Sequence, residues 1–267
     1  MKLLLLLLLF SFCSFSSAVA EDNLFSVQVI RENAADTEDY YGEHSELQVE
    51  VISTVEGDMR MGVSKHVLIY HTHTYEAYEP SVNWRSEKPD ENVVMVGRAL
   101  AASLEALGLE VTHDTVAYEP PDLEGAYERS LDMLESRLSA GEQYDLVIDL
   151  HRDAVASTSD IKRTVNIGGI EVARFMVLVG QGTTGGYQVK PNWEANLKLA
   201  EGITYQLNLQ CENLARNVKI KTGRFNQHVA DCCILIECGM NTNTMEEVLA
   251  GIPYLAHAIY ETIRIMP

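Results

Sequence analysis

Histidines and a carboxylate follow directly after a short apolar run near residue 70. Residues 67–70 are predicted to form a buried strand, and His71, His73 and Glu76 come next. Open α/β sheets bind their ligands at the carboxyl ends of the strands. Imidazole nitrogens and carboxylate oxygens are ligands that zinc accepts. This stretch therefore predicts one side of a metal centre, with His71 and His73 as alternative ligands.

Two further apolar segments end in side chains of the same kind. Residues 145–150 run into His151, and residues 232–236 run into Glu237. A carboxylate that directly follows aliphatic residues is costly to bury unless it is paired or used. Three predicted strands thus each deliver a metal ligand or a base at the same end, which a chance arrangement would not produce.

These side chains match the requirements of zinc-dependent hydrolysis. Such a site needs about three protein ligands and an open position for water, and a further carboxylate can move the proton to the leaving group. We predict that His73, Glu76 and His151 bind Zn²⁺ and that Glu237 is the catalytic base.

Strand and helix patterns alternate along the chain, and these elements must position the site. Apolar residues at helical spacing predict helices over 93–107, 123–138 and 191–209. Short apolar runs predict strands at 67–70, 109–114, 145–150, 172–179, 218–221 and 232–236. The alternation predicts an α/β fold with a mostly parallel twisted sheet and helices on both faces.

The last helix carries its own boundary signals. Asn243 and Glu246 resemble a capping box that opens it. Pro253 follows ten residues after Asn243 and is predicted to kink or split the helix, because proline lacks the amide hydrogen that a helix interior needs.

The charge balance bears on the class of partner. The chain of 267 residues is 46% hydrophobic and 22% charged, with a formal net charge of -19. Proteins that read nucleic-acid phosphates are basic, so we expect no nucleic-acid partner. The length suits one α/β domain with additional segments.

The N-terminal region predicts export. Residues 1–20 combine Lys2, an apolar stretch and a small-residue site ending at Ala20, which is typical of a signal peptide. An uncleaved membrane anchor formed by residues 3–19 is the alternative. Residues 21–61 are predicted to be an acidic N-terminal arm or linker, and residues 62–267 the catalytic domain.

Several separated motifs occur together in one order, over roughly residues 63–265. In this order they resemble the stage II sporulation protein P family. The motifs are His-Thr-His-x-x-Glu at 71–76, Ile-Asp-Leu-His-Arg-Asp-Ala at 148–154, Gly-Arg-Phe-Asn-Gln at 223–227, and Leu-Ile-Glu-Cys-Gly-x-Asn-Thr-Asn at 235–243.

The resemblance implies a function in wall degradation. That family is similar to zinc N-acetylmuramoyl-L-alanine amidases, which implies a zinc amidase architecture, Zn²⁺ as cofactor and peptidoglycan as substrate. The amide between N-acetylmuramic acid and the L-alanine of the stem peptide would be cleaved in the septal wall during sporulation engulfment. Implied partners are a transglycosylase like stage II sporulation protein D and a membrane protein like stage II sporulation protein M.

The resemblance also bears on the choice between neighbouring ligand candidates. By the strand register of the broader amidases, His73 matches the first histidine better than His71 does. The sporulation family's own motif favours Glu76 as the carboxylate ligand, whereas the broader amidases point to Glu87 or Glu91.

Three more motif residues are expected near the site, and the resemblance implies substrate contact for them. They are Arg152, Asn226 and Gln227, of which Arg152 and Asn226 are also candidates for supporting the metal.

Two other functions fit the same residues. One is a zinc endopeptidase acting on wall cross-links, and the other is a catalytically inactive module for wall binding or scaffolding. A serine hydrolase is disfavoured, because the sequence lacks the G-x-S-x-G motif of a nucleophile elbow.

Overall fold

The computed structural model describes residues 26–29, 49–52, 65–156 and 158–266. The strands within these ranges are β1 (Ser26–Val29), β2 (Val49–Ile52), β3 (His66–Tyr70), β4 (Glu110–His113), β5 (Leu146–Asp153), β6 (Thr164–Ile167), β7 (Ile170–Ala173), β8 (Phe175–Gly180), β9 (Lys219–Lys221) and β10 (Cys233–Met240). The helices are α1 (Val93–Ala106), α2 (Ala126–Ser139), α3 (Trp193–Gln210), α4 (Met245–Leu249) and α5 (Ile252–Ile263).

The central sheet has the strand order β4-β3-β5-β10-β8-β9. Neighbouring strands are parallel except at β10 and β8, which run antiparallel. The strands at the centre, β5 and β10, are almost entirely buried, as their continuous apolar sequences require in a sheet covered on both sides. The predicted α/β class with a mostly parallel sheet is confirmed.

Helices cover both faces of this sheet. Leu100 of α1, Ile203 of α3 and Ile259 of α5 belong to one large apolar cluster with Ile69 and Ile148 of the sheet. On the opposite face, Leu134 of α2 packs in a smaller cluster with Leu68, Val147 and Cys233. Because successive strand residues point to opposite faces, β3, β5 and β10 each contribute to both clusters.

Two short antiparallel pairs lie outside the main sheet. Strands β6 and β7 form a hairpin, and β1 pairs with β2 inside the region predicted as an acidic arm. The predicted signal peptide of residues 1–20, most of the arm and the proposed domain start at residue 62 lie outside the described residues. None of the described helices is long and apolar enough to cross a bilayer.

The strand predicted over 172–179 is divided in the structure. Ala173 pairs with Thr164 in the β6–β7 hairpin, whereas Phe175 begins the pairing of β8 with β10 opposite Cys238. Arg174 lies between the two strands. One continuous stretch of strand-forming residues therefore pairs with two different strands. Its local sequence pattern does not show where the first strand ends and the second begins.

The capping box of the last helical region lies one residue later than predicted. Thr244 accepts a hydrogen bond from the amide of Glu247, whose side chain returns to the Thr244 amide. Asn243 instead uses its side chain to accept from the Met240 amide at the end of β10. Pro253 lies in the first turn of α5 and separates it from α4, which confirms the predicted split.

Helix α1 approaches the end of β3 closely at Gly97. The ring of His71 lies beneath it, with Nε2 at 2.9 Å from Nε2 of His113. A Cβ atom at position 97 would lie 2.5 Å from the His113 ring and 2.6 Å from the His71 ring. Only glycine allows this separation between helix and sheet.

Replacing Gly97 with alanine is expected to destabilise the protein by up to about 2 kcal/mol. Overpacking a core costs about 1–3 kcal/mol, and the better helix propensity of alanine offsets about 1 kcal/mol. Urea denaturation measures the change. The loss should be smaller in a His113→Ala background, where one of the two rings is removed, and an equal loss in both backgrounds would contradict this packing.

Candidate active site

The predicted site residues gather at the carboxyl ends of the three central parallel strands. Strand pairing sets Tyr70 of β3 opposite Asp149 of β5, and His151 of β5 opposite Glu237 of β10. Since side chains alternate between faces, Asp149 and His151 project to the same face as Val147, which packs near helix α2. The site therefore lies on the face that α2 covers.

The turn after β3 brings Glu76 against His151. The His151 Nδ1 group donates to Glu76 Oε2 at 3.2 Å, and the Arg152 amide donates to the same oxygen at 3.0 Å. The Arg152 guanidinium lies 3.6 Å from the other Glu76 oxygen. Glu76 is thus fixed by the strand end that carries the second predicted histidine ligand.

His73 completes the group from the same turn. Its ring centroid lies 5.4 Å from that of His151 and 5.5 Å from that of Tyr127. Its Nδ1 atom is 3.5 Å from Glu119 Oε1, and both atoms are buried without a hydrogen-bond partner among the described residues. The structure therefore brings together His73, Glu76, His151 and Glu237.

The other ligand candidates are placed elsewhere. His71 is buried on the α1 side, where Nδ1 hydrogen-bonds to the Leu150 carbonyl at 2.9 Å. Burial and the neighbouring His113 lower the pKa of His71 to about 3. Glu87 and Glu91 are exposed, and Glu91 is bonded to Ser86 and Lys88.

Arg152 supports the site by holding the segment that carries Glu76. Its buried guanidinium donates to the carbonyls of Ala77 and Trp84, at 3.1 and 3.0 Å. Tyr78 lies in the same segment and donates to the carbonyl of Cys238 on β10. The loop after β3 is therefore fixed to both β5 and β10.

Asn226 and Gln227 make their hydrogen bonds with other parts of the fold. Asn226 donates to the Tyr127 carbonyl at 2.8 Å and to Ser130 Oγ at 3.1 Å, which joins its loop to the start of α2. Gln227 bonds to the backbone of β8 at Gly180 and Leu178. The described bonds connect neither side chain to a ligand candidate.

Glu237 has the properties of a proton carrier. Burial raises its pKa to about 8, with nearby Glu76 and Asp153 adding to the effect. Its Oε2 atom is buried and has no hydrogen-bond partner in the described part of the chain. A carboxyl group in this state can exchange a proton near neutral pH.

His151 lies between two carboxylates. Burial alone would lower its pKa, but Asp149 and Glu76 outweigh burial and raise it well above the ordinary value. Burial would likewise raise the pKa of Glu76, but His151 and Arg152 lower it. In the metal-free protein the positive charge on the ring is therefore balanced on both sides.

Three residues near the site were not predicted from the sequence. Asp149 lies two residues before His151 on the same strand. Side chains alternate between the faces of a strand, so this spacing in the sequence places both residues on one face. Glu119 and Tyr127 arrive from the loop after β4 and from α2. No local pattern links either of them to His73, since they meet it only in the folded chain.

The residue types that gather here suit a zinc ion. Within the described residues, no group of three or more His, Cys, Asp or Glu side chains is already arranged to hold a metal. However, two imidazoles and a carboxylate converge here beside buried polar atoms that lack partners. This donor set matches the ligands that zinc prefers in catalytic sites.

Comparison with known proteins relates the chain to a sporulation family. The family model of stage II sporulation protein P matches residues 13–260. The protein of that name from Bacillus subtilis strain 168 is 28% identical over 204 residues, which cover 70% of this chain and 48% of the relative. The chain thus spans about half the length of the curated relative that it matches.

A solved structure shows a similar fold at low sequence identity. It is the CwlD amidase from Clostridioides difficile in complex with the GerS lipoprotein, with a TM-score of 0.50 and 15% identity. The match covers 75% of this chain and 97% of that one. This likeness shows that the two chains share an α/β fold.

Because Glu237 is buried, replacing it with glutamine is predicted to increase the free energy of unfolding relative to wild type, by an amount that depends on pH. Because its folded-state pKa is about 8 and the ordinary value is 4.5, the unfolded chain loses this proton first as pH rises, which destabilises the wild type. In metal-free protein, Glu237→Gln should gain stability relative to wild type between these pH values, by more than about 1.4 kcal/mol. Urea unfolding with a chelator present measures the difference.

Glu91→Gln serves as the control for that measurement. Hydrogen bonds from Lys88 and Ser86 lower the pKa of the exposed Glu91, so its removal should show the opposite trend with pH. A stability difference for Glu237→Gln that stays constant with pH would contradict the buried, protonated carboxyl group.

Proposed function

The chain belongs to the stage II sporulation protein P family, and on that premise we propose that it is a zinc-dependent peptidoglycan hydrolase. Its substrate bond is the amide between N-acetylmuramic acid and the L-alanine of the stem peptide. One observation carries the proposal. The ends of β3, β5 and β10 and the turn after β3 bring His73, Glu76, His151 and Glu237 into one cluster.

We assign the ion to His73, Glu76 and His151. When bound, a zinc ion lowers the pKa of a coordinated water to about 7 and polarises the carbonyl under attack. Glu76 is preferred to Glu87 and Glu91, because it alone of the three contacts His151. His73 is preferred to His71, whose two ring nitrogens are engaged on the α1 side.

Glu237 acts as the general base. It lies opposite His151 on the neighbouring strand, and an oxygen of its carboxyl group is free of other hydrogen bonds among the described residues. It takes the proton from the attacking water and passes it to the leaving nitrogen. The positive charge of a bound ion would favour the ionised carboxylate that this role needs.

The biological setting that we propose is the cell wall during sporulation. Export through residues 1–20, or anchoring through residues 3–19, would place the catalytic domain of residues 62–267 outside the cytoplasm. Peptidoglycan of the septum would be the substrate during engulfment. Partners like stage II sporulation proteins D and M are proposed from the family resemblance. Support for the setting comes from the family and its Bacillus subtilis member.

Two variants separate metal binding from proton transfer. Glu237→Gln should keep zinc at wild-type stoichiometry and lose activity on purified peptidoglycan by about 10²-fold or more, whereas His151→Ala should lose both. Elemental analysis of the protein and release of soluble wall fragments measure the two properties. Glu87→Gln and Glu91→Gln are controls that should retain both, and full activity of Glu237→Gln would reject its role as base.

The products identify the bond that is cut. Amidase action should release free stem peptides that begin with L-alanine and leave unsubstituted glycan strands, which mass spectrometry of digested wall detects. Opened cross-links with stems still attached to glycan would instead show the alternative, a zinc endopeptidase. Wall binding without any soluble product would show the catalytically inactive module.

A further inference from the structure

Asp149 is a buried carboxylate beside His151, and the proposed reaction does not use it. Only 1% of its surface is exposed. One oxygen accepts from the Thr72 amide at 2.9 Å and the other from the Thr72 hydroxyl at 2.7 Å. The Thr72 hydroxyl also contacts Ser130 Oγ on α2 at 3.0 Å. Thr72, which follows β3 and contacts α2, therefore holds both oxygens of Asp149.

The same carboxylate lies next to one particular ring nitrogen of His151. Asp149 Oδ1 is 2.9 Å from His151 Nε2, whereas the other ring nitrogen, Nδ1, is hydrogen-bonded to Glu76. Nε2 thus faces Asp149 and is a buried nitrogen with no other partner among the described residues. Nδ1 is the ring nitrogen that lies beside a ligand candidate, Glu76.

We propose that Asp149 is a positioning residue, which fixes His151 in the tautomer that carries its proton on Nε2 and presents Nδ1 to the ion. The inference rests on the proposed function and adds to it the identity of the binding nitrogen. Asp149 does not touch the ion or the substrate. It acts through His151, and Thr72 in turn holds Asp149.

General principles support a specific role for this carboxylate. A histidine that binds a metal usually donates its other ring N–H to a carboxylate or carbonyl, which sets the tautomer and makes the binding nitrogen more basic. Loss of such a partner typically costs about 10–100-fold in metal affinity. A carboxylate that served only to pair with Thr72 would affect folding stability and leave metal affinity unchanged.

The test compares Asp149→Asn with Asp145→Asn in the full chain. Asp145 directly precedes β5, at the end of the strand away from His151, and pairs with Lys65. Zinc affinity is measured by competition with a chelator, and heteronuclear NMR of the zinc-loaded, isotope-labelled protein identifies the His151 nitrogen that carries the proton. Asp149→Asn should lose about 10–100-fold in zinc affinity and the fixed Nε2–H tautomer. Asp145→Asn should match wild type in both.

The outcomes separate this inference from the function on which it rests. Equal zinc affinity and an unchanged His151 tautomer in Asp149→Asn would overturn the inference alone. A wild-type protein that binds no zinc would overturn the proposed function and the inference with it. If Asp149→Asn does not fold, Thr72→Val replaces it, because it removes one of the two bonds that hold Asp149. It should then lower zinc affinity in the same direction, and unchanged affinity would reject the inference.

Discussion

The structure around the site depends on one buried imidazole that lies between two carboxylates and must stay paired with them. His151 lies between Glu76 and Asp149, and charges so far from water are tolerated only when they are paired and hydrogen-bonded. Removing one partner from such a group typically costs about 3–5 kcal/mol, because the remaining charge is left uncompensated. The strand ends and the loop after β3 must therefore keep these groups in contact, and Arg152 serves this purpose by holding the loop.

The pairing register of the central strands fixes the contact between His151 and its two carboxylates. A slip of one residue would move a strand's entire set of side chains to the other face. Here the apolar residues that precede Asp149 and Glu237 are buried on both faces of the sheet, so the core itself resists a slip. Packing and chemistry are thus coupled, since the residues that form the core also determine where the polar side chains emerge.

The two faces of the sheet have different functions. The face covered by α1, α3 and α5 holds the large apolar cluster. His71 lies on this face beneath Gly97 of α1 as a buried, neutral ring. The face covered by α2 has a small apolar cluster, which leaves room for polar side chains at its end. Tyr127 and Ser130 of α2 contact this polar group, so the helix supplies one wall of the site.

The sequence by itself determined the α/β class, the strands that carry the site and the candidates His71, His73, His151 and Glu237, because apolar runs ending in polar residues are local patterns. It did not determine the choice between His71 and His73 or between Glu76 and more distant acids, since the fold decides which ring and which carboxylate reach His151. Likewise, Glu119 meets His73 only through a contact between segments far apart in the chain. Tertiary structure decided these points, because the distances between separate segments depend on packing that no local pattern encodes.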